Sequence, residues 1–462
     1  MKKTLALLIS MLMVLTLFAG CTGNKPATDT SPTVTPESPT PVPDSPQTQA
    51  PESPAGDSAA PAEPAQPVTL KWAIWDYDIT AYYKALIDAY KVVHPEVTIQ
   101  YEDLTSSDYG PNLQLNLSAD HGAYDIVTIK ENPQYVNLVS TGLLLDLDPM
   151  IEDNAIDLSM YSGLGDSLRF ATHLYQLPFR ADFWVTYYNK DIFDRAGVAY
   201  PDNDMDFNEY MDLARKVKAG LVAAGDNNTY GAHWHGWRSC TFGIGISDGK
   251  NTQIQKDYSY LAPYLTGART LMNEGVVLDY TARQEMSLGY QAAFQTGMTA
   301  MMHQGSWYIG THITAISNGD TDVTNWGIAK FPHAIGAPEG STFGSSTGLS
   351  IAVGSNNKEA AFEFIKFVTG LEGALVVGST ANFPAIASVD ALSSILSNPN
   401  YPQDANSQAA LAYSANYLEM PLHAKSNDIG AELDAIYRDF MTDAITVEEA
   451  IALMNERAGG LQ

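Results

Sequence analysis

The chain of 462 residues has little of what several protein classes require. It contains two cysteines, Cys21 and Cys240, so a scaffold built on several disulfides is excluded. Basic residues are scarce, with 25 Lys and Arg against 53 Asp and Glu and a formal net charge of -28. Because nucleic-acid binding needs a basic footprint, we predict no nucleic-acid partner. After residue 18 no apolar run approaches the length of about 20 residues that a transmembrane helix needs, so we predict a soluble body.

The first 21 residues have the pattern of a secretion signal that ends at a cysteine. Lys2 and Lys3 precede the apolar run Leu5–Phe18, and the small pair Ala19-Gly20 stands directly before Cys21. This pattern resembles a bacterial lipoprotein signal, in which cleavage after residue 20 leaves a lipidated cysteine as the new N-terminus. An ordinary secretory signal with a chance cysteine is the alternative. The predicted location is the extracellular face of the bacterial cell membrane, with the lipid on Cys21 as the anchor.

The segment that follows is predicted to be a disordered tether. Residues 21–67 contain twelve of the 25 prolines, together with Thr, Ser, Ala and Gln and hardly any aliphatic side chains. Such a composition cannot bury enough apolar surface to offset the entropy of ordering the chain. We therefore divide the chain into a signal (1–20), a lipidated Cys21 with its tether (21–67) and a body that begins at residue 68.

In the body, strand patterns alternate with helix patterns. Thr69–Trp75 is typical of a strand, apolar residues recur at helical spacing over 83–90 until Pro95, and Val97–Tyr101 alternates as a second strand. This order is a βαβ unit. Capping boxes at Asp206/Glu209 and Thr446/Glu449 predict two further helix starts. The predicted class is α/β, with mostly parallel sheets flanked by helices.

Three local patterns partly match known chemical sites. His233 and His235 could form half of a metal site, but the sequence pairs them with no further His/Cys cluster. The segment 245–249 has the spacing of a nucleophile elbow without the strand and helix that an elbow needs. The segment 202–213 begins like a calcium loop but lacks its glycine and its final glutamate. We therefore predict no catalytic residue, no metal and no cofactor, and we expect Cys240 to be a small buried residue.

Several short motifs follow one another in a recognisable order. They are Lys71-Trp-Ala-Ile-Trp, Tyr90-Lys-Val-Val-His-Pro, Tyr124-Asp-Ile-Val, Ser140-Thr-Gly-Leu-Leu, Leu177-Pro-Phe, Tyr187-Tyr-Asn-Lys-Asp, Gly305-Ser-Trp and Lys358-Glu-Ala-Ala-Phe. This order resembles that of the extracellular solute-binding proteins of sugar ABC transporters, the group that includes maltose-binding protein. The resemblance covers nearly the whole body. It is most specific at the Tyr-Asn-Lys-Asp and Gly-Ser-Trp motifs.

The resemblance implies a two-lobed fold of the periplasmic-binding-protein type with a hinge that the chain crosses several times. We place one lobe at 68–181 plus 332–385 and the other at 183–331 plus 386–462. The ligand, a di- or oligosaccharide, is expected in the cleft between the lobes. The implied partners are this carbohydrate and the permease subunits of an ABC importer, and the protein itself is expected to be a monomer.

Candidate ligand contacts combine strand ends with sugar chemistry. Aromatic faces stack on sugar C–H surfaces, and charged or amide groups bind the hydroxyls. Strand ends and the resemblance together give the predicted set, which is Trp75, Asp76, Tyr77, Glu131, Asn132, Arg180, Asp182, Trp184, Trp234, Trp237, Arg238, Trp307 and Asn382.

Two other functions stay open at this point. A tethered glycoside hydrolase would also combine aromatic residues with paired carboxylates. A binding or sensing protein for a non-sugar solute, such as a polyamine or a peptide, would suit the acidic composition. The order of the motifs favours a sugar-binding protein that is not an enzyme.

Overall fold

The computed structural model describes residues 66–462. The predicted signal, Cys21 and all but the last two residues of the predicted tether lie outside the described residues. Within the described range, no helix is both long enough and apolar enough to cross a membrane.

Ten strands form the sheets of the described chain. They are β1 (Val68–Ile74), β2 (Val97–Asp103), β3 (Ile126–Ile129), β4 (Leu177–Ala181), β5 (Trp184–Asn189), β6 (Met301–Gly305), β7 (Trp326–Lys330), β8 (Ser341–Gly344), β9 (Ser346–Ile351) and β10 (Ala415–Leu418).

Helices fill most of the chain between these strands. The α-helices span Ala81–Val93, Tyr109–Ala119, Asn132–Ser140, Asp148–Asp153, Leu164–Ser167, Lys190–Ala196, Phe207–Ala223, Ser239–Ile246, Ala262–Asn273, Tyr280–Glu285, Tyr290–Gln295, Trp307–Asn318, Lys358–Thr369, Leu371–Ser379, Val389–Ser397, Ala405–Ala409, Ser426–Met441 and Val447–Leu453. Shorter helical turns lie at Tyr77–Ile79, Leu158–Tyr161, Ser259–Leu261, Met454–Ala458 and Gly459–Leu461.

The first sheet has five strands in the order β2-β1-β3-β9-β4. β1 runs parallel to β2 and β3, whereas β9 runs antiparallel to β3 and β4. Successive residues of β1 enter different cores, because Trp72 and Ile74 pack in one apolar cluster and Ala73 packs in another. Both faces of this sheet are therefore covered, as is usual for parallel strands.

The second sheet has three strands in the order β6-β5-β7, and both of its pairings are antiparallel. A separate pair joins β8 and β10 in parallel. The α/β class and the two-lobed fold are confirmed, but the expectation of mostly parallel sheets is wrong for the second sheet. The physical reason is the route of the chain, because β5 begins at the hinge at Trp184, whereas β6 ends there at Gly305, so the two strands run in opposite directions.

The hinge is the place where several segments cross between the two sheets. Asp182 and Phe183 connect β4 to β5, and the Asp182 amide donates to the carbonyl of Ser345 at 2.8 Å. A Cβ atom on Gly344 would lie 1.8 Å from the Asp182 carbonyl oxygen, so only glycine fits where these segments touch. We propose the second crossing at 344–346 rather than near 331–332, because Phe343 packs in the core of the second lobe whereas β9 belongs to the first sheet.

Local sequence signals that position the site agree with the structure. The first predicted helix ends at Val93, two residues before Pro95. The predicted capping boxes are confirmed at both helix starts, including Asp206 with Glu209. Cys240 is fully buried, as expected.

Candidate functional site

A cleft of about 830 Å³ lies where the strand ends of both lobes meet. The chain reaches it directly after β1, β3 and β6 and at the end of β4. Strand ends carry short loops whose side chains face outward from the sheet, which is where open α/β folds bind ligands.

Polar groups dominate the wall that the first lobe contributes. The Lys130 ammonium donates to the carbonyl oxygen and the hydroxyl of Ser106 at 2.6 and 2.7 Å, and it lies 5.4 Å from the centre of the Trp75 ring. One carboxylate oxygen of Asp76 accepts the Ser106 amide at 3.2 Å. Burial lowers the pKa of Lys130 and raises the pKa of Asp76. Glu131 is exposed beside them.

Aromatic side chains dominate the wall of the second lobe. Trp237 is 42% exposed, and its ring lies 4.5 Å from that of His235 and 5.5 Å from that of Tyr290, measured between centroids. The Trp307 indole donates to the Tyr290 hydroxyl at 3.2 Å. The edge of Trp307 meets Trp184, whose ring stacks on a core phenylalanine. Within this aromatic wall, Trp237 has the most exposed ring.

A buried ion pair forms the floor of the cleft at the hinge. Arg180 Nη2 donates to Asp182 Oδ2 at 2.7 Å, and the two residues are 6% and 3% exposed. Arg180 also donates to the Tyr82 hydroxyl at 3.0 Å and to Thr347 at 3.3 Å. The second oxygen of Asp182 accepts the hydroxyl of Ser306 at 3.1 Å. Burial raises the pKa of Asp182, and the Arg180 guanidinium opposes that shift.

A second group of charged residues lines the same cleft. Arg238 pairs with Asp434 and donates to Gln253 at 2.8 Å. Glu419 accepts a hydrogen bond from the Ser239 hydroxyl, and burial raises the pKa of Glu419. The cleft therefore carries charges of both signs on both lobes.

Most of the sequence-predicted contacts lie together in this cleft. Its lining includes Trp75, Asp76, Glu131, Arg180, Asp182, Trp184, Trp237, Arg238, Trp307 and Asn382. Their role in binding stays a prediction.

Three predicted contacts are placed outside the lining. Tyr77 stacks on Tyr101 with ring centroids 3.9 Å apart. Asn132 is buried and donates to the carbonyl of Met420 at 2.8 Å. Trp234 is 1% exposed in the core of the second lobe. Each of these side chains already packs against, or binds, another part of the protein.

Sequence reasoning missed other residues that line the cleft, among them Lys130, Tyr290 and Glu419. Lys130 directly follows β3, so the same strand-end argument that selected Glu131 could have found it. Tyr290 and Glu419 carry no local signal, because only the packing of distant segments brings them to the cleft.

The candidate metal ligands fall into two groups. His233 Nε2 lies 3.5 Å from His235 Nδ1. The described residues contain one group of three potential ligands, Asp146, Asp148 and His173, and it lies outside the cleft lining. There His173 binds Asp146 at 2.8 Å and Arg169 binds Asp148 at 2.8 Å. Since the Arg169 guanidinium already binds Asp148 and a His173 nitrogen already binds Asp146, we assign no metal site to them.

The sequence of this chain is similar to those of known bacterial binding proteins. A sequence model of the bacterial extracellular solute-binding proteins matches residues 77–374. A binding protein of Brucella abortus (strain 2308) is 24% identical over 307 residues, which is 62% of this chain and 68% of that protein.

Solved structures extend the similarity to almost the whole body. The crystal structure of a sugar transporter from Rhizobium etli, in an open conformation, is 42% identical with a TM-score of 0.72, covering 85% of this chain and 100% of that one. An ABC substrate-binding protein from Listeria monocytogenes, in complex with cycloalternan, has a TM-score of 0.72 at 19% identity, covering 85% and 98%. The second likeness concerns the fold alone.

Proposed function

Because this chain belongs to the family of bacterial extracellular solute-binding proteins, we propose that it captures a sugar in the interlobe cleft and delivers it to an ABC importer. The observation that carries the proposal is the pairing of an aromatic wall on one lobe with a polar wall on the other. The 42% identical Rhizobium etli sugar transporter supports the same ligand class.

The two walls suit the two kinds of surface that a sugar presents. Trp237 and Trp307 offer ring faces and edges for the C–H surface of a pyranose. Asp76, Lys130 and Glu131 offer acceptors and a donor for hydroxyl groups, with charge assistance. A ligand held between the walls would contact both lobes, and its binding would therefore favour closure.

We propose a di- or oligosaccharide rather than a single small ring. Ligand pockets span about 300–1,000 Å³, and the cleft volume of about 830 Å³ lies in the upper part of that range. Trp75 packs in a core of the first lobe and Trp307 packs against cores of the second, so the cleft also offers aromatic surfaces on both walls for more than one ring. The proposed contacts are Trp75, Asp76, Lys130, Glu131, Arg180, Trp184, Trp237, Arg238, Tyr290, Trp307, Asn382 and Glu419.

The charge of the cleft argues against a polyamine. Its lining mixes acids with bases, which are Asp76, Glu131, Asp182, Glu419 and Asp434 against Lys130, Arg180, Arg238 and Arg438. A cleft selective for a polycation would need an excess of unpaired carboxylates, but Asp182 and Asp434 are paired with arginines. The acidity of the chain is better explained by solubility.

A hydrolase stays the alternative from another class, and the family argues against it because its members bind solutes. Incubating the protein with a series of oligosaccharides separates the two functions. A binding protein returns every substrate intact, whereas release of shorter sugars would establish glycoside hydrolysis.

The setting of the site is part of the proposal. We propose that Cys21 carries a lipid, that the 21–67 segment tethers the body at the extracellular face of the membrane, and that the binding protein acts as a monomer on permease subunits. A tether raises the effective concentration near the importer without a permanent complex. Metabolic labelling with a radioactive fatty acid tests the anchor. We expect the label to be incorporated into the intact protein and to be absent from Cys21→Ala.

A thermal-shift screen over mono-, di- and oligosaccharides, polyamines, peptides and metal ions tests the ligand class. A ligand that binds the folded state raises stability by about 2.7 kcal/mol at a concentration one hundred times its Kd. We expect shifts with one or more saccharides, confirmed by isothermal titration. The sugar proposal would be overturned if only polyamines raised the melting temperature, or if no carbohydrate raised it.

The aromatic wall gives a direct mutational test. Trp237→Ala is expected to weaken sugar binding by about 1 kcal/mol or more, because it removes an exposed ring face that stacks on the ligand. Trp307→Ala should weaken binding by a similar amount. Tyr200, also 42% exposed but outside the cleft lining, supplies the control Tyr200→Ala. Equal titration curves for Trp237→Ala and Tyr200→Ala would remove Trp237 from the site.

A further inference from the structure

The carboxylate of Asp182 joins groups that stand on opposite sides of the hinge. Its Oδ2 accepts from Arg180 of β4 at 2.7 Å, and its Oδ1 accepts from the hydroxyl of Ser306, the residue after β6, at 3.1 Å. β4 belongs to the five-stranded sheet and β6 to the three-stranded sheet. One buried side chain therefore holds both lobes at the point where the chain crosses between them.

The surrounding backbone reinforces this junction. The Ser306 amide donates to the carbonyl of Phe183 at 2.7 Å, and the Phe183 amide donates back to the Ser306 hydroxyl at 3.3 Å. The Asp182 carbonyl accepts from Asn416 at 3.3 Å, and the Asp182 amide donates to Ser345. Three distant segments, at Ser306, Ser345 and Asn416, thus contact the adjacent residues Asp182 and Phe183.

We propose that the Asp182–Ser306 contact is a hinge latch that limits how far the lobes open, so that both residues are positioning residues rather than ligand contacts. Closure of two-lobed proteins is absorbed by torsion changes in a few connecting residues. Rotation between residues 181 and 184 would move Arg180 relative to Ser306. The carboxylate can keep both partners only over a narrow range of lobe angles.

The burial of the Asp182–Ser306 contact indicates which way the lobes would move if the contact were lost. Asp182 is 3% exposed and Ser306 is fully buried, so a carboxylate oxygen that loses its donor has no water to replace it. Opening the hinge further would admit water to that oxygen. Removal of the Ser306 hydroxyl should therefore favour conformations that are more open than that of the intact protein.

The test measures the distance between the lobes in the absence of ligand. Spin labels at Val92→Cys and Val222→Cys, which are 81% and 47% exposed on opposite lobes, report this distance by electron double resonance. The labelled protein is the full chain with the additional change Cys21→Ser. Because Cys240 is buried, only the two introduced thiols react with the label. Ser306→Ala is expected to broaden the distance distribution and shift it to longer values.

Matched variants separate a latch from a general loss of packing. Ser350→Ala removes a buried hydroxyl that has no hydrogen-bond partner among the described residues and lies in the first sheet, so it should leave the distances unchanged. Ser306→Thr keeps the hydroxyl and should restore the distances of the intact protein. If Ser306→Ala does not fold, Asn416→Ala at an exposed position should give a smaller shift in the same direction. Unchanged distances in both Ser306→Ala and Asn416→Ala would overturn the latch.

Affinity supplies a second readout, which rests on the proposed sugar binding. A more open population lowers the fraction that is competent to close, and apparent affinity falls with that fraction. We expect about a tenfold weaker Kd for Ser306→Ala, equivalent to about 1.4 kcal/mol. Trp307→Ala, a contact variant, should weaken binding without changing the unliganded distances. If no sugar binds, the proposed function fails while the distances still decide the latch.

Discussion

Replacement of Arg180 by methionine is expected to lower the free energy of unfolding by about 3–5 kcal/mol, because it leaves a buried carboxylate without its counter-charge. Asp182 is 3% exposed and faces Arg180 at 2.7 Å. Chemical denaturation at neutral pH measures the loss. Arg215→Met at a partly exposed ion pair with Glu274 is the control, for which about 0–1 kcal/mol is expected.

The double variant Arg180→Met with Asp182→Leu distinguishes charge from packing. Replacing both members of a buried ion pair by apolar groups is often neutral, because neither desolvation nor an unpaired charge remains. Most of the stability lost in Arg180→Met should therefore return. A double variant less stable than Arg180→Met would show that the hydrogen bond from Ser306 to Asp182 and the packing of this side chain matter more than its unpaired charge.

Acidification should weaken the fold through its buried histidines. Burial lowers the pKa of His233 to about 3 and the pKa values of His303 and His312 to about 4. In the unfolded chain these groups titrate near pH 6.5, so the unfolded state binds more protons below that pH. Their contribution to stability is therefore present above pH 6.5 and is lost as the pH falls toward 4. Between pH 7.5 and 5.5 each histidine should cost about 1.4 kcal/mol, or about 4 kcal/mol together.

A variant isolates the histidine effect from other titrations. The buried carboxyls of Asp182 and Glu419 act in the opposite direction, since burial raises their pKa values and protonation relieves their cost. In His312→Asn, the loss of stability between pH 7.5 and 5.5 should shrink by about 1.4 kcal/mol. Urea denaturation of both proteins at the two pH values measures this difference. Equal losses in both would show that His312 is protonated in the folded state.

The fold was largely predictable because its signals are local. The strand and helix bounds around Pro95 and the two capping boxes depend on neighbouring residues, and the structure confirms them. The order of motifs identified the solute-binding family, which the comparisons confirm. Strand direction was not predictable, since the antiparallel pairing of β5 with β6 joins residues more than a hundred positions apart.

The site was predictable only in part, for a related reason. Strand-end reasoning and the motif resemblance brought Asp76, Glu131 and Trp307 to the cleft lining. The same reasoning could not see that Asn132 binds the backbone at Met420. It also could not find Glu419, whose position depends on a segment that follows the last crossing of the hinge.

The uneven exposure of the tryptophans gives the protein an optical reporter of its own. Of the seven tryptophans, Trp72, Trp75, Trp184, Trp234 and Trp326 are at most 7% exposed, whereas Trp237 is 42% exposed. The emission of the five buried tryptophans should be blue-shifted and only weakly quenched by acrylamide, so the readily quenched, red-shifted part of the spectrum should come mainly from Trp237. Occupation of the cleft can therefore be followed by fluorescence without any added label, at concentrations far below those that calorimetry needs.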